Sequence, residues 1–362
     1  MSEASGQRNI GLDILRAAAI AMVMLAHGVT LTGIPVLGEF GSGVDLFFVL
    51  SGFLIGRIYF RTSKSPSFTI GGFWIARWWR TLPPYAAALL LYIGVRYLLR
   101  TTVPQPPLHW YYVCFLQNYL GITGWGPTWS LCVEEHFYLT LPLIALAIDR
   151  GIGRRAFAYL LPCAFFVPLL LRIFTLLHTG GLPTNWYWMS HFHCEGMIAG
   201  VWLAYIFVEQ PAHFARLQRS SRWLLPLIPL VLIVVPIWHA GPWLDITIFT
   251  VLAIGYSAWL CFLYGVEWHP TGTFAHATRW SVQALALAAY SLYLTHTTTD
   301  PLFRWCAESV LHLHRGAGKS LFVLATSLAI GAVFFLLIER PSILTRNRFL
   351  HHKKEQTLPA AA

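Results

Sequence analysis

The stretch Leu12–Thr32, LDILRAAAIAMVMLAHGVTLT, decides what kind of molecule this is. It is apolar over nearly its whole length. A helix rises 1.5 Å per residue, so about 20 such residues cover a hydrocarbon layer of about 30 Å. Comparable stretches recur near 43–60, 82–100, 128–148, 156–177, 192–209, 223–238, 245–265, 282–299 and 320–338. The chain therefore reads as all-α, a polytopic integral membrane helical bundle of about ten transmembrane helices. Composition agrees, because 56% of the 362 residues are hydrophobic and only 11% are charged. A soluble domain carries about 25% charged residues to cover its surface. A soluble enzyme is excluded on that ground.

The net charge of +10 raises the question of nucleic acid. Runs such as Arg77-Trp78-Trp79-Arg80 combine basic and aromatic residues in a way that suits it. The distribution of charge argues otherwise. With the N-terminus in the cytoplasm, 19 of the 25 Lys and Arg fall at the inner face, as the positive-inside rule requires of a membrane protein. No nucleic-acid partner is then needed, and an even number of spans puts both termini in the cytoplasm. The polar segment Met1–Arg8 lacks a cleavage site after a short apolar core, so the first span reads as retained. Residues 1–344 form the transmembrane domain and 345–362 a basic, disordered cytoplasmic tail. The long non-membrane stretch 101–127 is rich in Pro, Tyr and Trp and is expected to anchor in headgroups or stack on a sugar, anchoring being preferred. Six scattered cysteines show no metal or disulfide spacing and read as buried small apolar residues.

Ionisable residues inside spans are costly and therefore informative. Arg16 and His27 are eleven residues apart, which places them on one helix stripe about 16 Å apart along the axis. Either could be bland, a snorkelling Arg and a core His satisfied by a backbone carbonyl. Gly43-Val-Asp-Leu-Phe-Phe-Val-Leu-Ser-Gly-Phe-Leu-Ile-Gly56 sets Asp45 and Ser51 among apolar residues, beside glycines that permit close helix packing. Arg77 and Arg80, at i and i+3, point the same way; they suit phosphate or serve as a topological anchor. In Trp129-Ser-Leu-Cys-Val-Glu-Glu-His-Phe-Tyr138, the residues Glu134, Glu135 and His136 diverge by about 100° each, so at most two face one cavity. A carboxylate beside an imidazole is a general-base arrangement suited to acyl transfer.

In order and spacing, these motifs resemble the membrane acyltransferase 3 family. The resemblance also draws on Tyr290-Ser-Leu-Tyr-Leu-Thr-His296 and Glu339-Arg-Pro341, and it covers almost the whole chain. It implies a bacterial inner-membrane enzyme that O-acylates surface polysaccharides or related hydroxyl-bearing molecules. The donor is acyl-CoA, most simply acetyl-CoA, reached from the cytoplasm; no cofactor is bound permanently and no metal is implied. Carried over, His27 matches the family's proposed catalytic His and Arg16 its partner. Arg77 and Arg80 match its arginine pair, Ser51 its Ser-Gly-Phe serine, and Glu134 the first Glu of its Val-Glu motif. Two departures stand out. His136 occupies a position that is often Gln. In His191-Phe-His-Cys-Glu195, His193 and Glu195 stand where the family has Arg and Asp, and a metal site there is conceivable but crowded onto one turn.

The resulting expectation has Arg77, Arg80 and Arg16 holding the CoA phosphates. His27 deprotonates the acceptor hydroxyl, oriented by Glu134 or Asp45, and Ser51 serves as oxyanion donor or acyl-enzyme nucleophile. The alternative is a proton-coupled transporter, for which intramembrane Arg, His and Glu would also serve.

Overall fold

The computed structural model describes residues 8–28, 35–99, 110–120, 125–236, 241–313 and 316–347. Helix accounts for 85% of it, with no strand among the described residues, so the packing is helix on helix. The α-helices are α1 (Ile10–Gly28), α2 (Gly43–Thr62), α3 (Ile70–Leu98), α4 (Trp110–Val113), α5 (Gln117–Leu120), α6 (Trp129–Gly151) and α7 (Phe157–Phe165). They continue as α8 (Val167–Thr179), α9 (Glu195–Glu209), α10 (Pro211–Ser220), α11 (Leu227–Val234), α12 (Pro242–Leu263), α13 (Thr273–Ser309) and α14 (Ala317–Phe334).

Among the described residues, seven helical segments are long and apolar enough to cross a membrane: Ile10–His27, Gly38–Thr62, Gly126–Gly151, Arg154–Thr179, Pro211–Val234, Trp243–Leu263 and Gly318–Asn347. The protein is an all-α, multi-pass membrane protein. The other three stretches marked out in the sequence also fall on helices, with a different character. The stretch 82–100 belongs to the 29-residue α3, which begins well upstream and carries Arg77 and Arg80. The stretch 192–209 coincides with α9, only 15 residues long. The stretch 282–299 is the buried half of the 37-residue α13. Both chain ends, and with them the side on which the termini lie, fall outside the described residues.

The most extensive helix contact among the described residues is between α2 and α9. In lipid, burial from water cannot drive helices together, so close packing of small residues must do it. Gly52 and Gly56 on α2, and Gly196 and Gly200 on α9, each have GxxxG spacing. A Cβ on Gly52 would sit 2.1 Å from the Met197 carbonyl oxygen, and one on Gly200 would sit 2.3 Å from that of Val49. Backbone thus meets backbone directly behind Ser51. On the other side, α1 packs against α2 and α13, and α13 against α3 and α14.

Two expectations about the connecting regions change. Part of the stretch 101–127 lies outside the described residues; of the rest, Tyr111, Tyr112 and Trp125 are buried in protein, while Trp110 is exposed as an anchor would be. The Trp125 ring stacks on Tyr85 at 5.4 Å and on Tyr92 at 5.3 Å, and its indole N–H donates to Thr298 Oγ1 at 2.9 Å. A buried indole N–H needs a partner, and only the bundle supplies one at a fixed place. At the other end, α14 continues through a π-helical turn, Phe335–Glu339, and the helix extends to Asn347. It therefore passes the position 345 where the tail was expected to begin; residues from 348 onward lie outside the described set. All six cysteines are unpaired, and Cys114 and Cys163 are exposed rather than buried.

Candidate active site

Asn9 begins α1, its side-chain oxygen accepting from Leu12 N–H at 3.0 Å while its amide donates to the Tyr264 carbonyl at 2.7 Å. One turn on, the buried Asp13 pairs with Arg8 at 2.6 Å and lies 3.7 Å from Arg16. These contacts fix the rotation of the helix. Arg16 and His27 then line two different cavities.

The first cavity, about 90 Å³, is lined by Arg16, Ser51, Arg77, Arg80, Glu134 and Glu339, among others. Glu134 is held at both oxygens. Ser51 donates to Oε1 at 2.9 Å and Tyr138 to Oε2 at 2.8 Å, while Arg77 stands 3.9 Å from Oε2. Arg77 also donates to the Tyr138 hydroxyl and lies 4.0 Å over its ring. Glu339, presented by the π-helical turn, accepts from the backbone N–H of Ser291 at 3.1 Å and from its hydroxyl. Both carboxylates thus accept their hydrogen bonds from neutral donors, with Arg77 beside Glu134. Arg80 makes no hydrogen bond or close ion pair among the described residues. Three guanidinium groups lie near enough to repel one another, with Arg346 adding a fourth positive charge nearby. A concentration of half-buried cations with too few carboxylates is a site that an anion completes.

The second cavity, about 300 Å³, is lined by His27, His296, Thr297, Asp300, Arg304, Ser320 and Ser327 together with apolar residues. His27 and His296 meet edge to face, with ring centroids 4.8 Å apart. Tyr293 stands between the two chambers. It lines the first cavity, its ring lies 5.7 Å from that of His296, and its hydroxyl donates to the Pro127 carbonyl at 2.8 Å.

Several expected pairings are replaced by others. Asp45 does not orient His27: its Oδ1 accepts from His193 Nε2 at 2.8 Å, and both residues are buried. Nor does Glu134 face His27, being committed to Ser51 and Tyr138. The Ser51 hydroxyl is likewise paired with Glu134. The divergence read from 100° steps is visible in α6. Glu134 faces the first cavity, Glu135 turns toward Thr81 and Trp78, and His136 Nδ1 meets Ser190 Oγ at 2.8 Å. In the His191–Glu195 segment, Glu195 is paired with Arg172, a fully buried cation that also donates to the Ile246 carbonyl at 2.8 Å. Among the described residues, no group of His, Cys, Asp or Glu is gathered as metal ligands.

Four participants escaped sequence reasoning: Tyr138, Tyr293, His296 and Glu339. All lie within motifs already singled out, and Glu339 and His296 are ionisable groups in apolar surroundings, which was the available signal. Their partners are 48 and 269 residues away in the chain, and no local pattern names them.

A family model described as "Acyltransferase domain" matches residues 9–338. O-acetyltransferase OatA of Staphylococcus aureus strain NCTC 8325 is 33% identical over 157 residues, 37% of this chain and 24% of that protein. A second relative from Staphylococcus aureus strain COL, whose name gives O-acetyltransferase as a provisional assignment, is 30% identical over 160 residues, 40% of this chain and 26% of the relative. The match spans about a quarter of the length of these curated relatives. No solved structure matches the chain.

Proposed function

The chain belongs to the acyltransferase 3 family, and from that premise we propose that it moves an acyl group, acetyl in the simplest case, from acyl-CoA to a hydroxyl of a cell-envelope or exported polysaccharide. The observation that carries this reading is the wall of the first cavity, where Arg16, Arg77 and Arg80 converge beside Ser51 and Glu134. Guanidinium groups bind phosphate through paired N–H donors, and the CoA moiety carries three phosphate groups. The donor enters from the cytoplasm of a bacterium, the membrane being its inner membrane, with the nucleotide end against the arginines and the acyl end toward Tyr293 and the histidines. The names of the staphylococcal relatives support acetyl as the group transferred.

His27 is the base. Its ring takes the acceptor's O–H proton as that oxygen bonds to the thioester carbonyl carbon. The C–S bond then breaks, and the proton passes to the departing sulfur, leaving an ester and free CoA. The second cavity, lined by hydroxyl groups and by the Asp300–Arg304 pair at 2.6 Å, receives the acceptor. Membranes containing the protein, incubated with labelled acetyl-CoA and envelope polysaccharide, should place label in the polysaccharide as a base-labile ester. Uptake of substrate into vesicles with no label transferred would sink this reading in favour of transport.

A further inference from the structure

The contact between His27 and His296 specifies which nitrogen carries each proton. His296 Nδ1 lies 2.8 Å from the Tyr293 carbonyl oxygen and 3.2 Å from that of Leu292. Carbonyls only accept, so Nδ1 carries hydrogen. His27 Nδ1 lies 2.9 Å from the Val23 carbonyl oxygen and 3.3 Å from His296 Nε2. If His296 donated here, a lone pair on His27 Nδ1 would be pressed against the Val23 carbonyl oxygen, which is repulsive. The assignment that satisfies these contacts has His27 Nδ1–H donating to Val23 and to the lone pair on His296 Nε2. In a neutral ring, His27 Nε2 then holds the lone pair that a base requires.

We propose that His296 is a positioning residue for His27, acting as a neutral hydrogen-bond acceptor that holds the tautomer with Nε2 basic and stabilises the imidazolium formed during transfer. A carboxylate does this in the familiar serine-hydrolase arrangement. Here no carboxylate could be carried to the same place without burying another charge, and Asp45 and Glu134 are engaged elsewhere. His296 is well placed for the task, being 4% exposed and tied by Nδ1 to its own helix backbone, so the ring cannot turn. When His27 takes the acceptor's proton at Nε2, its Nδ1–H stays directed at His296 Nε2. No proton passes from His27 to His296, and the positive charge develops against a lone pair rather than a hydrocarbon wall until the proton goes on to the departing sulfur.

The inference rests on His27 being the base, so the test separates the two. The full chain in membranes is assayed with labelled acetyl-CoA and envelope polysaccharide for His27→Ala, His296→Ala, His296→Leu and His296→Gln. The expected result is a loss of about 10–100-fold in kcat for His296→Ala and His296→Leu, with KM for acetyl-CoA within about twofold, because removing an orienting partner affects chemistry more than donor binding. His296→Gln places an amide oxygen near the position of Nε2 and should recover most of the rate. His27→Ala should be inactive, and adding His296→Ala to it should cost nothing more. Equal loss in the Ala and Gln variants, or a loss carried in KM, would overturn the positioning role. An inactive His27→Ala beside a fully active His296→Ala would overturn it while leaving His27 as base. Full activity in His27→Ala would overturn the underlying reading itself.

Discussion

The two cavities on either side of Tyr293 treat polar groups in opposite ways. In the first, cations outnumber carboxylates among the lining residues and both carboxylates are already engaged by Ser51, Tyr138 and Ser291, so Arg80 remains to meet a ligand's charge. In the second, the central groups are two imidazoles that satisfy each other and the backbone, while the charges at its rim, Asp300 and Arg304, cancel. An excess of charge of one sign binds a counter-charge; a hydrogen-bonded neutral pair can take up a proton beside a polar partner. On the proposed reading, recognition of the donor and chemistry at the acceptor fall at separate ends of α1.

The sharpest way to break this division is His27→Ala. It should reduce transfer by about 10³-fold or more, within the range general-base removal produces, while acyl-CoA still binds. Loss of donor binding in the same variant, read by equilibrium binding in detergent, would mean the two chambers are one site. Next in size, the double variant Arg77→Gln, Arg80→Gln should raise KM for acyl-CoA by about 10–100-fold, as expected for losing charged hydrogen bonds, with kcat nearly unchanged. An unchanged KM would reduce these arginines to topological anchors.

Two smaller effects sharpen the boundary between the cavities. Tyr293→Ala removes the partition, and hydrolysis of acetyl-CoA in the absence of acceptor should rise severalfold as water reaches the thioester; CoA release without polysaccharide labelling measures it. Asp45→Asn should leave transfer per folded molecule almost intact yet lower thermal stability in detergent, because weakening one member of a buried pair costs up to about 3–5 kcal/mol. A folded but inactive Asp45→Asn protein would return Asp45 to the catalytic machinery.

Much of the first cavity was legible in the sequence, because the helix period alone puts Arg77 and Arg80 on one face and separates Glu134 from Glu135 and His136. The glycines at 52 and 56 likewise announced a close helix contact, and Gly52 meets the Met197 backbone as that spacing implied. Partners joined across helices were not legible. Asp45 lies in the same motif as Ser51, which invites a shared role, yet its acceptor oxygen meets His193, 148 residues away. His296 was visible only as the last residue of an aromatic motif, since nothing near it in the chain hints at His27.

By itself the sequence determined that this chain lives in a bilayer as helices, that its cations gather in a few clusters, and that a small set of polar residues is out of place in lipid. Those properties follow from composition and from the 1.5 Å rise and 100° turn of a helix, which are local. Tertiary structure alone decided which polar residue answers which: Glu134 with Ser51 and Tyr138, Asp45 with His193, Arg172 with Glu195, His27 with His296. The physical reason is that a buried polar group takes whatever partner the packing brings within about 3 Å, and in a bundle whose helices meet backbone to backbone that partner is set by the crossing of helices far apart in the chain.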